Sequence, residues 1–148
     1  MVKEKAVLKT MLAVSTPVTI LWENILMLPL VGTIDSKRGQ EIMETMLAKI
    51  LETEAKFIIM DILGVASMDS AVANHLIKIT KATALMGCTS IVTGISPDVA
   101  QILVQLGVEL KDVITRATLK DGLQTAFDAL GVEVKKAKEA PKKRGGVI

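Results

Sequence analysis

Two adjacent residues, Asp69 and Ser70, place a carboxylate and a hydroxyl where a helix is predicted to begin. The free N–H groups and partial positive charge at a helix start favour an anion. A phosphate on Ser70 would gain from the helix and be repelled by Asp69, so it would change the surface charge with little change in folding free energy. Serine before a helix is also an ordinary capping residue, and spacing alone leaves both interpretations open.

Two other predicted helices begin with polar residues of the same kind. Asp35 or Ser36 caps one of them, and Ser96, followed by Pro97 and Asp98, opens the other. Because the carboxyl ends of parallel strands meet at one edge of a sheet, the starts at residues 69 and 96 are expected to share an edge. Such an edge suits an anionic group.

Hydrophobic periodicity predicts strands and helices in alternation, which indicates an α/β fold with a largely parallel sheet. Pro29, in the second predicted strand, indicates an edge position or a bulge. The predicted elements are a short helix or connector at 3–13, a hairpin of 18–22 and 25–30, a helix from 36 to about 52, a strand at 57–61, a helix at 70–86, a strand at 89–93, a helix at 97–107, an extended segment at 108–114 and a helix at 119–130 capped by Thr118.

The sequence offers little for catalysis or for a bound cofactor or metal. The single histidine, His75, lies inside a predicted helix, and the single cysteine, Cys88, opens a buried strand as a structural thiol would. No nucleophile elbow, P-loop or dinucleotide fingerprint is present. The ligand types also lack the spacing of a metal site. We therefore expect no catalytic residue, no cofactor and no metal.

The composition limits the classes of molecule that the protein is expected to bind and the cellular compartment in which we expect it. The three aromatic residues, Trp22, Phe57 and Phe127, are too few for stacking of single-stranded nucleic acid. The net charge of +2 comes from residues 133–148, which hold six Lys or Arg and two Glu; the rest of the chain therefore has a net charge of −2. No uncharged stretch is long enough to span a membrane, and the N-terminus lacks a signal-peptide pattern. We expect a cytoplasmic protein that binds neither nucleic acid nor membrane, although the basic run at 135–144 leaves anionic-surface binding as a less favoured option.

The chain resembles the STAS domain, the fold of anti-sigma-factor antagonists and stressosome scaffold proteins. The resemblance covers about residues 14–130. Its matching segments are STPV (15–18), LPLVGTIDS (28–36), MDILGV (60–65), MDS (68–70), ANHLI (73–77), ALMG (84–87), TGISPDVAQ (93–101) and LG (106–107), and they are most similar to the RsbR type of scaffold.

The resemblance implies a mixed, mostly parallel sheet with four helices packed on one side, and no catalytic activity. It implies that a switch serine/threonine kinase phosphorylates Ser70, that a phosphatase reverses this, and that the chain assembles with itself and with paralogous STAS chains. Release of the kinase would then control a sigma factor or another output. The expected switch surface around Ser70 consists of Asp35, Ser67, Met68, Asp69, Asn74, Ser96, Pro97 and Asp98.

The sequence departs from the RsbR pattern in three respects. Ser70 stands where threonine is usual, as in the companion RsbS type, and Ile102 stands where a second phosphoacceptor threonine is common. RsbR-type chains also carry a large N-terminal sensor domain, whereas residues 1–15 match only the end of the connector helix, so the chain is expected to be either a stand-alone scaffold or a domain of a longer protein. The expected organisation is an N-terminal helix or connector at 1–15, a STAS domain at 16–132 and a flexible basic tail at 133–148. The alternative function is that of a sensor STAS domain that binds a nucleotide or another anion directly.

Overall fold

The computed structural model describes residues 17–107 and 113–137. Five strands and four helices alternate along these residues, as the periodicity predicts. They are β1 (Thr19–Trp22), β2 (Ile25–Gly32), α1 (Ser36–Thr53), β3 (Phe57–Val65), α2 (Ser70–Leu85), β4 (Thr89–Thr93), α3 (Pro97–Gln105), β5 (Val113–Thr115) and α4 (Leu119–Leu130).

The strands form one mixed sheet in the order β1-β2-β3-β4-β5. β1 is antiparallel to β2 across a tight turn in which Asn24 has a φ of +67°, and the other neighbouring pairs are parallel. Pro29 lies at the place where the register between β2 and β3 shifts, and β1 pairs with β2 only as far as Met27. The predicted α/β class with a mostly parallel sheet is therefore confirmed, and Pro29 occupies a bulge.

Helices cover both faces of the sheet. On one face, inward side chains of β2 and β3 such as Leu28 and Met60 pack with residues of α1, α2 and α3. On the other face, Ile59 and Ile91 pack with Phe127 of α4. The expectation that all four helices lie on one side is wrong, because successive side chains of a strand point to opposite faces and both faces of the central strands are apolar.

A glycine lets α4 approach the second face closely. A Cβ atom at Gly122 would lie 2.4 Å from Cγ2 of Thr93 and 3.2 Å from Cγ2 of Ile91. The first distance is shorter than carbon atoms tolerate and the second is tight, so this position of the helix requires the absence of a side chain. Farther along α4, the ring of Phe127 meets that of Trp22 edge-on, with 5.3 Å between the centroids.

The element limits differ from the predictions in two places. β3 continues past Asp61 to Val65, because β2 extends alongside it and supplies hydrogen-bonding partners as far as Gly32. Only the end of the predicted extended segment at 108–114 is described, and β5 begins there. The predicted helix at 3–13 and most of the predicted tail lie outside the described residues. Of the helices in the described ranges, none has the length and apolarity to cross a bilayer.

Candidate functional site

Three helices begin at the same edge of the sheet, where β2, β3 and β4 end. Asp35 caps α1 by accepting the N–H of Arg38 at 2.7 Å, and Asp69 caps α2 by accepting the N–H of Val72 at 2.9 Å. Ser96 caps α3 through the N–H of Val99 at 3.2 Å, with Pro97 in the first turn. Because β2, β3 and β4 are parallel, these starts share the carboxyl edge of the sheet.

Ser70 is the first residue of α2 rather than its cap. The expectation that the Ser70 hydroxyl caps the helix is wrong, because the Asp69 carboxylate already accepts the N–H that a cap would serve. The Ser70 side chain is exposed, and no hydrogen bond to the described residues engages its hydroxyl. This hydroxyl is therefore open to solvent next to a carboxylate and at the start of a helix.

The other residues expected around Ser70 divide by burial. Ser67 and Asn74 are exposed on either side of it, and Ser96 is half-buried. Met68, by contrast, is only 9% exposed and packs in the core beneath the loop. The structure thus excludes Met68 from direct surface contact and makes it an apolar anchor for the residues that precede Ser70.

Carboxylates outnumber cations among the exposed charges at the starts of α1, α2 and α3, where Lys37 is an exposed cation. Asp35, Asp69 and Asp98, one from the start of each of the three helices, are all exposed. A fourth carboxylate, that of Asp61, is half-buried and accepts the N–H of Leu63 at 3.2 Å. We expect the negative potential of this edge to disfavour the binding of a further anion.

Arg38, which no sequence pattern indicated, also belongs to this edge. Its Nη1 donates hydrogen bonds to the carbonyl oxygens of Val31 and of Thr33, the latter at 2.8 Å. A position three residues after a helix cap is a weak signal for such a contact. The partners are backbone carbonyl groups, whose location no side-chain pattern encodes.

His75 and Cys88 are structural in this fold. His75 is half-buried on α2 and lies against α1, where a Cβ atom on Gly39 would be 3.1 Å from its Cγ and Nδ1. Burial raises the pKa of the Cys88 thiol to about 11, with Lys56 opposing the shift. The thiol is therefore protonated at neutral pH and has little nucleophilic character.

A recess of about 500 Å³ lies at the opposite, amino end of the parallel strands, between the ends of α1 and α2. It is lined by Asn24, Ile50, Leu51, Thr53, Glu54, Ala55, Lys56 and Met86.

Within the described ranges, no three His, Cys, Asp or Glu side chains are grouped as metal ligands would be. The polar residues predicted to act together are thus those of the carboxyl edge, away from the recess.

Comparison with known proteins identifies the family. Residues 17–126 match the STAS domain. Over 114 residues the chain is 41% identical to the RsbT co-antagonist protein RsbRA of Bacillus subtilis, an alignment that covers 77% of this chain and 42% of that protein. The chain thus spans about two fifths of that relative's length.

Solved structures agree with this assignment. An RsbS variant from Moorella thermoacetica superposes with a TM-score of 0.68 at 25% identity, covering 79% of this chain and 98% of the other. A chain of the stressosome, described as a signal integration and transduction hub, superposes with a TM-score of 0.62 at 25% identity, covering 77% and 98%. The resemblance read from the sequence is confirmed: the chain belongs to the STAS domain family and is similar to the RsbR-type proteins of bacterial stress signalling.

Proposed function

We propose that this chain is a non-catalytic binding module of a stressosome or a related partner-switching pathway. In the unmodified state its carboxyl edge binds a switch serine/threonine kinase in the cytoplasm. Phosphorylation of Ser70 releases that kinase, which then controls a sigma factor or another output, and a phosphatase restores the first state. The chain acts within an assembly of its own copies and paralogous STAS chains.

The observation that carries this proposal is the position of Ser70. Its hydroxyl is exposed and makes no hydrogen bond within the described residues, while the neighbouring Asp69 performs the capping of α2. A kinase can therefore modify Ser70 without removing an interaction on which the helix depends. An exposed hydroxyl that also capped the helix would be a poorer acceptor, since its modification would disturb the helix start.

The charge of the edge explains how a modification would act on binding. A phosphate adds about −1.5 to −2 charges at neutral pH. It would join the exposed carboxylates of Asp35, Asp69 and Asp98, so the local field changes strongly while the core beneath stays the same. A partner that fits the unmodified edge by shape and hydrogen bonding would then be displaced without unfolding of the domain.

Two relatives support the proposal by their names. RsbRA is named as a co-antagonist of RsbT, and the stressosome is described as a hub for integrating signals. The first name refers to an effect on a second protein, RsbT, and the second description refers to signalling. The same class of activity is the one we propose for this chain, with Ser70 as the phosphoacceptor.

The direct test is phosphorylation by a cognate switch kinase. The chain is incubated with the kinase and ATP, and the modified residue is mapped by mass spectrometry, with Ser70→Ala as the control. We expect one phosphate on Ser70 in the wild type and none in the variant. Labelling elsewhere, or no labelling by a kinase that is active on another STAS chain, would contradict the proposal.

The second test measures partner release. Binding of the kinase is compared for the wild type, Ser70→Ala and Ser70→Glu by calorimetry without ATP. We expect Ser70→Ala to bind within about threefold of the wild type and Ser70→Glu to bind at least about tenfold more weakly, which corresponds to about 1.4 kcal/mol. Equal affinities for all three would argue against a charge switch at this position.

Direct binding of a nucleotide or another anion is less well supported. Two of the three helix starts at the edge are already capped by carboxylates, Asp35 and Asp69, whose negative charge opposes an anionic ligand. Thermal unfolding with millimolar nucleotide separates the two functions. A rise in melting temperature would favour the sensor function, because a ligand that binds only the folded state stabilises it.

A further inference from the structure

Arg38 joins the end of β2 to the loop that precedes α1. Its Nη1 group donates to the carbonyl oxygens of Val31 and Thr33, which lie on either side of Gly32. Gly32 has a φ of +81°, so the backbone turns sharply there and brings both oxygens within reach of one nitrogen. Arg38 as a whole residue is half-buried, and both hydrogen bonds lie at the exposed surface of the domain.

The same turn holds the loop that leads to Ser70. The carbonyl oxygen of Gly32, between the two carbonyl groups bound by Arg38, accepts the N–H of Ala66 at 2.9 Å. Ala66 is the first residue of the acceptor loop, which we define as residues 66–69. Arg38 therefore holds the turn at Gly32, and the carbonyl group of Gly32 in turn holds the first residue of the acceptor loop.

The acceptor loop has one further attachment before the helix begins. Met68 is buried in the core, whereas Ala66, Ser67 and Asp69 are exposed. With the Ala66 hydrogen bond at one end and Met68 near the other, the loop has few ways to move. Loss of the first attachment would leave Met68 and the Asp69 cap to hold the loop.

We propose that Arg38 is a positioning residue for the phosphoacceptor, acting through the chain of contacts from its guanidinium to Gly32, Ala66 and the acceptor loop. It does not contact the reacting atoms. It keeps the backbone before Ser70 in the conformation that a kinase binds. The expected effect on phosphorylation of Ser70 rests on the proposed function. The mechanical link, by which Arg38 holds Ala66 through Gly32, does not.

The mechanical link is tested by amide hydrogen exchange of the full chain. Arg38→Met removes the donors and keeps an apolar stem. Arg116→Met is the control, because the Arg116 guanidinium also donates two hydrogen bonds, to the carbonyl oxygen of Thr115 at 2.7 Å and to Oγ1 of Thr125 at 3.0 Å, and neither of them involves the turn at Gly32 or the acceptor loop. We expect exchange at Ala66 to become about fivefold to tenfold faster in Arg38→Met only.

The functional link is tested by steady-state phosphorylation of Ser70 with the same variants. A loop that spends less time in the bound conformation raises the apparent KM and leaves kcat unchanged. We expect KM to rise about fivefold for Arg38→Met, to return part of the way for Arg38→Lys, which keeps N–H donors on a shorter stem, and to stay unchanged for Arg116→Met.

The two measurements separate the possible failures. Unchanged exchange at Ala66 in Arg38→Met would overturn the proposed link, whatever the kinase does. Faster exchange with an unchanged KM would overturn the positioning role. If the wild type is not phosphorylated at all, the proposed function fails, and the exchange experiment still decides whether Arg38 holds the acceptor loop.

Discussion

The interior of the sheet and its carboxyl edge are built from the same strands but differ sharply in burial. Ile58 and Met60 on β3 are fully buried, whereas Leu63 on the same strand is 72% exposed. Along β2, Leu28 is fully buried and Val31 is 62% exposed. Within a few residues each strand passes from close-packed core to open surface. The part that secures the fold and the part that can bind a partner are therefore separate.

This separation has a physical basis in the helix starts. Each of the three helices at the edge satisfies one of its first N–H groups with its own cap, so the edge needs no burial to be stable. The core, in contrast, depends on apolar contacts from both faces. A change at the edge should act mainly on binding and a change in the core mainly on folding.

The largest effect is expected from a matched pair on β3. Ile58→Ala removes a fully buried side chain and should lower the free energy of unfolding by about 2–5 kcal/mol. Leu63→Ala, at the exposed end of the same strand, should change it by less than about 0.5 kcal/mol. Urea unfolding measures both. Similar losses in the two variants would mean that the edge is part of the cooperative core.

The close approach of α4 predicts the next effect. Gly122→Ala places a methyl group 2.4 Å from Cγ2 of Thr93, so the helix must move away from the sheet. We expect a loss of about 1–3 kcal/mol, although alanine favours a helix by about 1 kcal/mol over glycine. Gln124→Ala, at an exposed position of the same helix, is the control. A stabilised Gly122→Ala would show that the propensity term exceeds the steric one.

A smaller effect distinguishes the cap of α2 from its first residue. Asp69→Ala removes the acceptor of the Val72 N–H and should cost about 1 kcal/mol. Ser70→Ala should cost less than about 0.5 kcal/mol, since its hydroxyl holds no hydrogen bond within the described residues. Thermal unfolding of both variants gives the comparison. The reverse order would mean that Ser70 contributes to the helix start in solution.

The smallest effect is the pH dependence of stability that the buried Cys88 thiol causes. Burial raises the pKa of Cys88 from 9.0 to about 11 in the folded chain, so its contribution to stability is complete below pH 9 and is lost as the pH rises through 11. The stability of the wild type relative to Cys88→Ala should fall by about 0.5–1 kcal/mol by pH 9.5. A pH-independent difference between the two proteins would contradict the burial of this thiol.

Much of the fold follows from local patterns in the sequence. The hairpin around Asn24, the cap at Ser96 and the helix end before Gly87 were predicted correctly, because each rests on residues adjacent in the chain. The parallel order then brings the predicted polar residues to one edge. These features required no knowledge of how distant segments pack.

The errors involve choices that local patterns leave open. Asp69 and Ser70 are both good caps, and the choice between them is a shift of one residue that packing of α2 decides. The face on which α4 packs depends on which side of the sheet is still uncovered. Arg38 was missed since its partners are carbonyl groups brought together by the turn at Gly32.

The placement of α4 also bears on the order in which the chain can fold during synthesis. The three helices on one face lie between strands, so that face can close as the chain emerges from the ribosome. The other face, with Ile59 and Ile91, gains its cover only after residues 119–130 have been made, on the order of seconds after β4 at 5–20 residues per second. During that interval the nascent sheet presents an apolar surface, and chaperones that bind such surfaces would be expected to engage it there.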